Sequence, residues 1–295
     1  MTLTYPAQPP AVSGTKLTVD ALLKAPKVLA KRIVGSNAPF LSDLVFRPDT
    51  TESGAVIYSE AGTEDLYPAR GDVKQIEPGA EFPMVDTAEG DQKTAVASKF
   101  GAGYIVTDEA KDRNQLSVIT KGNMKVRNAL IRQDSNRLFA AFNAKAPVVP
   151  AVGVWTTPKA MRTDIVKGLA RIEAYELGYT GDTVILHPDR ISDLLLLDEL
   201  QNLSPRENTA LNPLFRRDLA GYLGVNWVSN PHADPTKAII LTNRISGVNV
   251  TEKPYGVAVV REGTRERDVV IASKRSVPVI DEPLSTLIIT GIAAA

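Results

Sequence analysis

Few residues of the types that perform chemistry occur in this chain. Its 295 residues include no cysteine and two histidines, His187 and His232. Without cysteine the chain can form neither a disulfide nor a thiolate metal site. His187 lies where a predicted strand meets a predicted helix, and His232 lies in an Asn-Pro-His-Ala-Asp loop. Histidines in such positions are more often structural than catalytic, so we assign neither a role in catalysis.

The other patterns that could indicate a cofactor or a metal are incomplete. The chain has no Gly-x-Ser-x-Gly elbow and no Walker-type phosphate loop. Gly101 and Gly103 precede Tyr-Ile-Val rather than the third glycine and helix of a dinucleotide turn, so we interpret them as a bend in a strand. Asp86, Glu89 and Asp91 lack the alternating spacing of a calcium loop. The sequence therefore predicts no enzyme, no cofactor and no metal site.

Charge is unevenly distributed, although the formal net charge is zero. Residues 51–98 contain three basic and ten acidic side chains, whereas residues 99–145 contain nine basic and four acidic ones. Residues 1–50 contain six basic and three acidic side chains. Segregation of this kind favours contact with surfaces of opposite charge elsewhere. The alternative is that these side chains only solvate their own segments.

The acidic segment is predicted to form a two-stranded flap. Residues 55–60 and 94–106 have the composition of strands, and residues 63–91 between them are rich in proline and glycine. An isolated pair of strands is at best marginally stable in water, so we expect the flap to lie on another surface. The acidic residues expected to make this contact are Glu60, Glu64, Asp65, Asp72, Glu77, Glu81 and Asp86.

A long helix is predicted from Asp108 to Ala144, a segment without proline, in which Gly122 is a candidate for a bend. Apolar residues recur along it at intervals close to whole helical turns, at Leu116, Ile119, Val126, Leu130, Leu138 and Phe142. At about 1.5 Å per residue the helix would be roughly 55 Å long. Its basic residues either face solvent or contact phosphates or an acidic protein surface; they are Arg113, Lys121, Lys125, Arg127, Arg132 and Arg137.

The remainder of the chain has the pattern of a mixed α/β unit. Helices are predicted over residues 158–177 and 188–203. Strands are predicted over residues 183–187, 225–229, 238–242, 248–252 and 287–292, with a hairpin whose arms are 256–261 and 268–273. Apolar runs are far shorter than the ~18 residues that a membrane span requires, and the first residues lack the features of a secretory signal.

The order of these parts resembles the major capsid proteins of tailed bacteriophages, which have the Hong-Kong-ninety-seven-type capsid fold. The most specific segments are Lys99-Phe-Gly-Ala-Gly-Tyr-Ile-Val-Thr-Asp-Glu109 with the following helix, and Thr183-Val-Ile-Leu-His-Pro188 before a leucine-rich helix. The resemblance covers nearly the whole chain and implies an α+β fold. Its implied parts are an N-terminal arm (1–48), an extended loop (49–104), a peripheral domain with a long spine helix (105–150), an axial domain (151–250), and return strands of the peripheral domain with the C-terminus (251–295).

The resemblance also implies what the protein assembles with. The expected function is self-assembly, as pentamers and hexamers, into the icosahedral shell of a virion that encloses double-stranded DNA, with assembly in the host bacterial cytoplasm. Portal, scaffolding and decoration proteins are further expected partners. The acidic loop would lie over a basic surface of an adjacent copy, for which the candidates are Arg127, Arg132, Arg261, Arg265 and Arg267. The alternative is an encapsulin, a nanocompartment with the same fold that holds cargo enzymes.

Overall fold

The computed structural model describes residues 12–13, 16–34, 40–62, 75–82, 84, 92–195 and 222–293. Its helices are α1 (Val19–Leu23), α2 (Pro26–Val34), α3 (Leu41–Val45), α4 (Asp108–Asp112), α5 (Leu116–Lys145), α6 (Pro158–Glu173) and α7 (Pro188–Leu195). Its strands are β1 (Val12–Ser13), β2 (Lys16–Leu17), β3 (Arg47–Thr50), β4 (Ala55–Ser59), β5 (Gln92–Val96), β6 (Ser98–Thr107), β7 (Val148–Pro150), β8 (Thr183–Leu186), β9 (Asn226–Ser229), β10 (Lys237–Leu241), β11 (Val248–Glu262), β12 (Arg267–Val279) and β13 (Thr286–Thr290).

A five-stranded sheet with the strand order β7-β13-β10-β8-β9 is buried on both faces. Its central strands are aliphatic at consecutive positions, as is typical of strands covered on both sides. One face packs on α6 through Met161, Ile165 and Ile172. The opposite face packs on the C-terminal half of α5 through Leu138 and Phe142. Each of these fully buried side chains stabilises the fold by roughly 1.5–3 kcal/mol.

A four-stranded sheet has the strand order β3-β11-β12-β6, and the described residues cover one of its faces. The predicted hairpin is confirmed and extended, because β11 and β12 pair antiparallel with Gly256 opposite Ser273 and Arg261 opposite Asp268. The N-terminal half of α5 covers the inner face, where Val126 and Leu130 contact Ala272. The spine helix α5 therefore packs on both sheets of the described chain.

The spine helix begins at Leu116, so the predicted single helix from Asp108 is wrong at its N-terminus. Thr107 caps a separate short helix, α4, by accepting a hydrogen bond from the backbone N–H of Ala110 (3.4 Å). The chain then turns at Asn114, which has a φ of +49°. A left-handed residue cannot continue an α-helix, and asparagine tolerates this conformation better than most residues. At 30 residues, α5 is about 45 Å long.

The glycines predicted to bend their elements instead allow close packing. A methyl group at Gly122 would lie 2.5 Å from a ring carbon of Tyr104, well inside van der Waals contact, and α5 runs through this position without a break. At Gly101 a methyl group would lie 2.5 Å from the carbonyl oxygen of Ala272. The pairing of β6 with β12 continues past Gly101 and Gly103 without a register shift. Both predicted bends are therefore wrong. Glycine occupies these positions because a larger side chain would collide with the neighbouring element.

Strands of the two sheets run across the predicted division of the chain. The C-terminal strand β13, which lies in the predicted part that combines the return strands with the C-terminus (251–295), pairs with β7 and β10 in the five-stranded sheet. β6 crosses the bound at residue 104, and β11 crosses the bound at residue 250. A strand that is apolar on both faces requires a covered sheet, but its sequence does not specify which one.

The predicted helix over 158–177 ends earlier, at Glu173, because Glu176 and Gly178 adopt positive φ values of 58° and 79°. The helix predicted over 188–203 is observed as α7, and residues 196–203 lie outside the described part of the chain. No helix among the described residues is long and apolar enough to cross a membrane.

Candidate assembly surface

The predicted two-stranded flap is observed as the antiparallel pair β4 and β5. The single flap strand predicted over 94–106 is wrong, because the chain divides at Ala97 and β6 pairs with β12 in the four-stranded sheet. The register places Ile57 opposite Thr94 and Tyr58 opposite Lys93. Since side chains alternate between the faces of a strand, Tyr58 and Lys93 lie on one face and Ile57 and Val96 on the other. We call these two the inner and the outer face of the flap.

The inner face is held to the chain's own spine helix. Glu60, at the end of β4, forms hydrogen-bonded ion pairs with Lys93 and with Lys145, the last residue of α5. Burial alone would raise the pKa of Glu60, but the hydrogen bonds from Lys145 and Lys93 outweigh it, so the pKa lies below its usual value of 4.5. Of the acidic residues predicted to contact another copy, Glu60 is thus already paired within its own chain.

The outer face of the flap is uncovered. Ile57 is 70% exposed and Val96 is 67% exposed. In the segment beyond β4, Phe82 and Met84 are also largely exposed. No side chain among the described residues buries these four groups. Ile57 and Val96 share one face of the flap, and exposed apolar side chains that are grouped in this way mark contact sites for other molecules.

The predicted acidic contact residues are only partly described. Glu77 and Glu81 are exposed and form no ion pair with a described residue. Glu64, Asp65, Asp72 and Asp86 lie outside the described residues. The structure therefore brings Glu77 and Glu81 into the same exposed segment as Phe82 and Met84.

Two of the five predicted basic partners are engaged within their own chain. Arg261 forms two hydrogen bonds to the carboxylate of Asp108, which lower the pKa of Asp108 and raise the pKa of Arg261. Arg267 Nε lies 2.6 Å from a carboxylate oxygen of Glu262. At these two positions, the basic side chain is therefore already paired with a carboxylate of its own chain.

The remaining three basic candidates form no ion pair with any described residue; they are Arg127, Arg132 and Arg265. Arg265 is exposed at the turn of the β11–β12 hairpin. Arg132 is exposed on α5 together with Lys121 and Lys125. Spacings of four and seven residues place these three on one side of the helix, and we call them the basic stripe.

Arg137, which the charge pattern had grouped with the basic helix face, has a structural role. Its Nη2 donates to the carbonyl oxygen of Ser276 (2.6 Å), and its guanidinium lies 4.7 Å from the ring centre of Phe100. These contacts bind α5 to the four-stranded sheet. Arg137 is therefore not one of the basic residues of α5 that face solvent.

Sequence reasoning missed a second apolar surface, the outer face of the four-stranded sheet. Ile105, Val260 and Ile271 are exposed there, on the side away from α5. The signal was present, because residues 257–260 and 269–272 are apolar at consecutive positions, which predicts strands covered on both sides. Only one side is covered by described residues. We call this surface the outer sheet face.

The histidines lie apart from these surfaces. The ring Nδ1 of His187 accepts a hydrogen bond from the backbone N–H of Asp189 (3.2 Å) in the first turn of α7. His232 lines a half-open cleft of about 320 Å³ with Phe139 and Lys237. The described residues hold no group of three or more side chains suited to bind a metal ion.

A sequence-family model decides which proteins this chain is related to. The model of a phage capsid protein family matches residues 90–289, which is more than half of the chain and includes the spine helix and most of both sheets. The chain belongs to the phage capsid protein family. The predicted major capsid protein of a tailed bacteriophage is confirmed by this match together with the shared fold described next. A search of curated protein sequences finds no match.

Solved structures share the fold of the capsid protein at low sequence identity. A phage-related protein from Bordetella bronchiseptica RB50 superposes with a TM-score of 0.62 at 15% identity, covering 90% of this chain and 96% of that one. A virus-like particle from Pyrococcus furiosus gives 0.59 at 12% identity, with 90% and 97% covered. The capsid of the cyanophage P-SCSP1u gives 0.59 at 11% identity, with 88% and 90% covered. The predicted α+β capsid fold is confirmed, and the encapsulin alternative is less well supported than the phage capsid.

Proposed function

We propose that copies of this capsid protein assemble as pentamers and hexamers into an icosahedral shell around double-stranded DNA, with the flap as a principal contact between copies. The observation that carries this proposal is the difference between the faces of the flap. Its inner face is tied to the spine helix of its own chain, whereas its outer face leaves Ile57 and Val96 in solvent. Burying side chains of this size is worth roughly 1.5–3 kcal/mol each. Neighbouring copies in a closed shell provide such burial.

The surface that best fits the outer face of the flap is the outer sheet face of an adjacent copy. Both surfaces are apolar, and each is uncovered by the described residues of its own chain. Arg265, at the hairpin turn beside the outer sheet face, is free to meet Glu77 or Glu81. Arg261 and Arg267 are weaker candidates, because each already has a carboxylate partner.

Reversal of the flap charges tests this contact. The triple variant Asp72→Lys, Glu77→Lys and Glu81→Lys should leave soluble protein with native circular dichroism but no shells by electron microscopy and size-exclusion chromatography. The matched control replaces the same residues with Asn, Gln and Gln, which removes charge without repelling a basic partner, and it should still assemble. Normal shells from the triple lysine variant would contradict the proposal.

Contact with DNA is the second part of the proposal. The basic stripe presents Lys121, Lys125 and Arg132 along one side of α5 without a carboxylate partner among the described residues. Aligned cations of this kind neutralise phosphates without reading the base sequence. Portal, scaffolding and decoration proteins, and assembly in the cytoplasm of a bacterial host, stay predictions from the resemblance.

A further inference from the structure

Strand β6 lies at an edge of the four-stranded sheet, and this edge lacks the features that usually protect one. β12 pairs with β6 along its whole length, from Ser98 to Thr107. On the other side of β6, which we call the free edge, no described residue forms a backbone hydrogen bond with residues 98–106. The strand has no proline, no register shift and a single charged residue, Lys99. Long edges of this kind accept a further strand.

The backbone groups of alternate residues point to the free edge. In an antiparallel pair, each residue directs both its N–H and its C=O either toward the partner strand or away from it, in alternation. The N–H of Asp108 donates to the carbonyl oxygen of Glu266 (3.0 Å), one step beyond the last pair of β6 with β12. Even-numbered residues of β6 therefore bond to β12. The odd-numbered residues, which include Gly101 and Gly103 and are all exposed, direct their backbone groups outward.

The two glycines also leave room beside the free edge for the side chains of another strand. The odd-numbered residues of β6 lie on the outer sheet face, where Ile105 is 45% exposed and Ile271 of β12, opposite Gly103, is 39% exposed. Gly101 and Gly103 have no side chain that covers this part of the face. An added strand packs well when it places large side chains opposite such edge glycines. The free edge thus fits an extended segment with large apolar residues two positions apart.

Phe82 and Met84 of the flap have this spacing. Phe82 is 77% exposed and Met84 is 87% exposed, and their backbone groups form no hydrogen bond with the described part of the chain. Val152 and Val154 are exposed with the same spacing, but the N–H of Val152 already donates to Asp164 (3.0 Å). The valine pair is therefore not free to join a sheet through its backbone.

We propose that Phe82 and Met84 of an adjacent copy pair with the free edge of β6 and so add a fifth strand to the four-stranded sheet. The added strand is antiparallel to β6, with Phe82 beside Gly103 and Met84 beside Gly101. Pairing uses the N–H and C=O groups of Phe82 and Met84. The proline between them in the sequence, which has no N–H, does not interrupt this pattern.

The antiparallel direction also fits the exposed charges. Residues that precede Phe82 run toward the hairpin turn between β11 and β12, where Arg265 is exposed without an ion-pair partner among the described residues. The acidic side chains of Glu77 and Glu81 therefore approach this arginine. The inference rests on the proposed contact of the flap with the outer sheet face, and it adds the backbone pairing that sets the register of that contact.

Hydrogen exchange, read residue by residue on assembled shells of the full-length chain, tests the pairing. In the unassembled triple lysine variant, the N–H groups of the even-numbered residues from 100 to 104 should exchange slowly and those of Gly101 and Gly103 fast. In shells of the unmodified chain, all of these groups should exchange slowly, because both edges of β6 are then paired. Fast exchange at Gly101 and Gly103 in shells would overturn the proposal.

The partner strand distinguishes backbone pairing from simple coverage by another copy. In shells, the N–H groups of Phe82 and Met84 should exchange slowly, whereas the N–H of Glu81 points away from β6 and should stay fast. An apolar contact without strand pairing has no reason to alternate in this way. Equal exchange at Glu81, Phe82 and Met84 in shells would therefore contradict the added strand.

Two substitutions at one exposed position separate the role of the backbone from the role of the side chain. Met84→Ala removes the side chain and keeps the N–H, whereas Met84→Pro removes both. Both variants should fold, because Met84 is 87% exposed, and electron microscopy should show fewer shells for Met84→Pro than for Met84→Ala. Equal yields of shells would overturn the pairing.

Failure of this inference is distinguishable from failure of the proposed flap contact. If the triple lysine variant forms no shells while Gly101 and Gly103 exchange fast in unmodified shells, the flap contact stands and the strand pairing is wrong. Normal shells from the triple lysine variant would instead overturn the flap contact and the strand pairing together.

Discussion

At the scale of single residues, charge in this protein is used within the chain more than its sequence suggests. Glu60, Arg261 and Arg267 were all expected to contact another copy, and each has an ion-pair partner in its own chain. Arg137 binds a carbonyl oxygen and an aromatic ring rather than facing solvent. The acidic and basic segments therefore first stabilise the fold of each copy, and only the remaining exposed charges are available for assembly.

Gly122 provides a residue-scale prediction because two effects of Gly122→Ala oppose each other. Alanine favours a helix over glycine by about 1 kcal/mol. The added methyl group would lie 2.5–2.8 Å from three ring atoms of Tyr104, whose hydroxyl is held by Asn123 (2.8 Å). Overpacking of this kind costs about 1–3 kcal/mol, so we expect a net destabilisation of up to about 2 kcal/mol.

Denaturant unfolding of unassembled protein measures this effect, with the flap lysine variant as the background that prevents shells from forming. The control is Asn128→Ala, an exposed position on the same helix, which should stabilise slightly. Greater stability of the Gly122→Ala variant would show that the ring moves aside and that close packing is not the reason for glycine.

At the scale of elements, the flap is the part whose position depends on a small number of contacts. A carboxylate bridge and a backbone hydrogen bond help to hold it to the body. Glu60 joins Lys93 of β5 to Lys145 at the end of α5, and the N–H of Ala61 donates to the carbonyl oxygen of Asp281 (2.8 Å). The body itself is secured by α5, which packs on both sheets. Because few contacts fix the flap, we expect its angle to vary more easily than the packing of the core.

Acidification should release the flap. The pKa of Glu60 is lowered in the folded protein, so its ion pairs stabilise the docked flap fully above the unfolded value of 4.5 and lose this effect as the pH falls through the folded value. Since the chain has no cysteine, spin labels can be attached to Ile57→Cys and Asn143→Cys. The distance distribution between them should be narrow at pH 7 and broaden below about pH 4.5.

The Glu60→Gln variant should show the broad distribution already at pH 7, because its side chain carries no charge to hold two lysines. Glu173→Gln, an exposed position on α6, serves as the control and should behave as the unmodified protein does. A narrow distribution in Glu60→Gln at every pH would mean that the hairpin alone sets the angle of the flap.

At the scale of the whole molecule, the described residues leave three surfaces uncovered: the outer face of the flap, the outer sheet face and the basic stripe. The first two are apolar and the third is cationic. The proposed function requires distinct surfaces of these two kinds, because a shell protein would contact both its own copies and a polyanion. The formal net charge of zero conceals this division.

DNA binding by the basic stripe is tested through its salt dependence. For a duplex of random sequence, the triple variant Lys121→Gln, Lys125→Gln and Arg132→Gln should bind with a slope of log affinity against log salt that is smaller by about 2.7, which is ~0.9 for each lost phosphate contact. The matched control removes three exposed cations from α6, with Lys159→Gln, Arg162→Gln and Lys167→Gln. Equal slopes for the two variants would exclude the stripe as the DNA surface.

Elements with a local signature could be predicted from the sequence. The β11–β12 hairpin was predicted, since apolar strands flank a short charged turn, and the buried side of α5 was predicted at Ile119, Val126 and Leu130. The break at Asn114 was missed. Asparagine adopts helical and left-handed conformations alike, and the left-handed one is fixed here when the Asn114 side chain accepts a hydrogen bond from the backbone of Val19, 95 residues away in sequence (2.8 Å).

Periodicity and composition depend on neighbours along the chain, and they were sufficient for the kinds of elements, the two-stranded flap and the family resemblance. Sheet membership, ion-pair partners and uncovered surfaces depend on groups that are distant in sequence, and folding alone decides them. β13 is an example, because its apolar residues fit either sheet and its neighbours β7 and β10 select one. The meeting of Asp43, Asn249 and Lys274 at one oxygen is another, since these residues come from three elements that only the packed chain brings within reach.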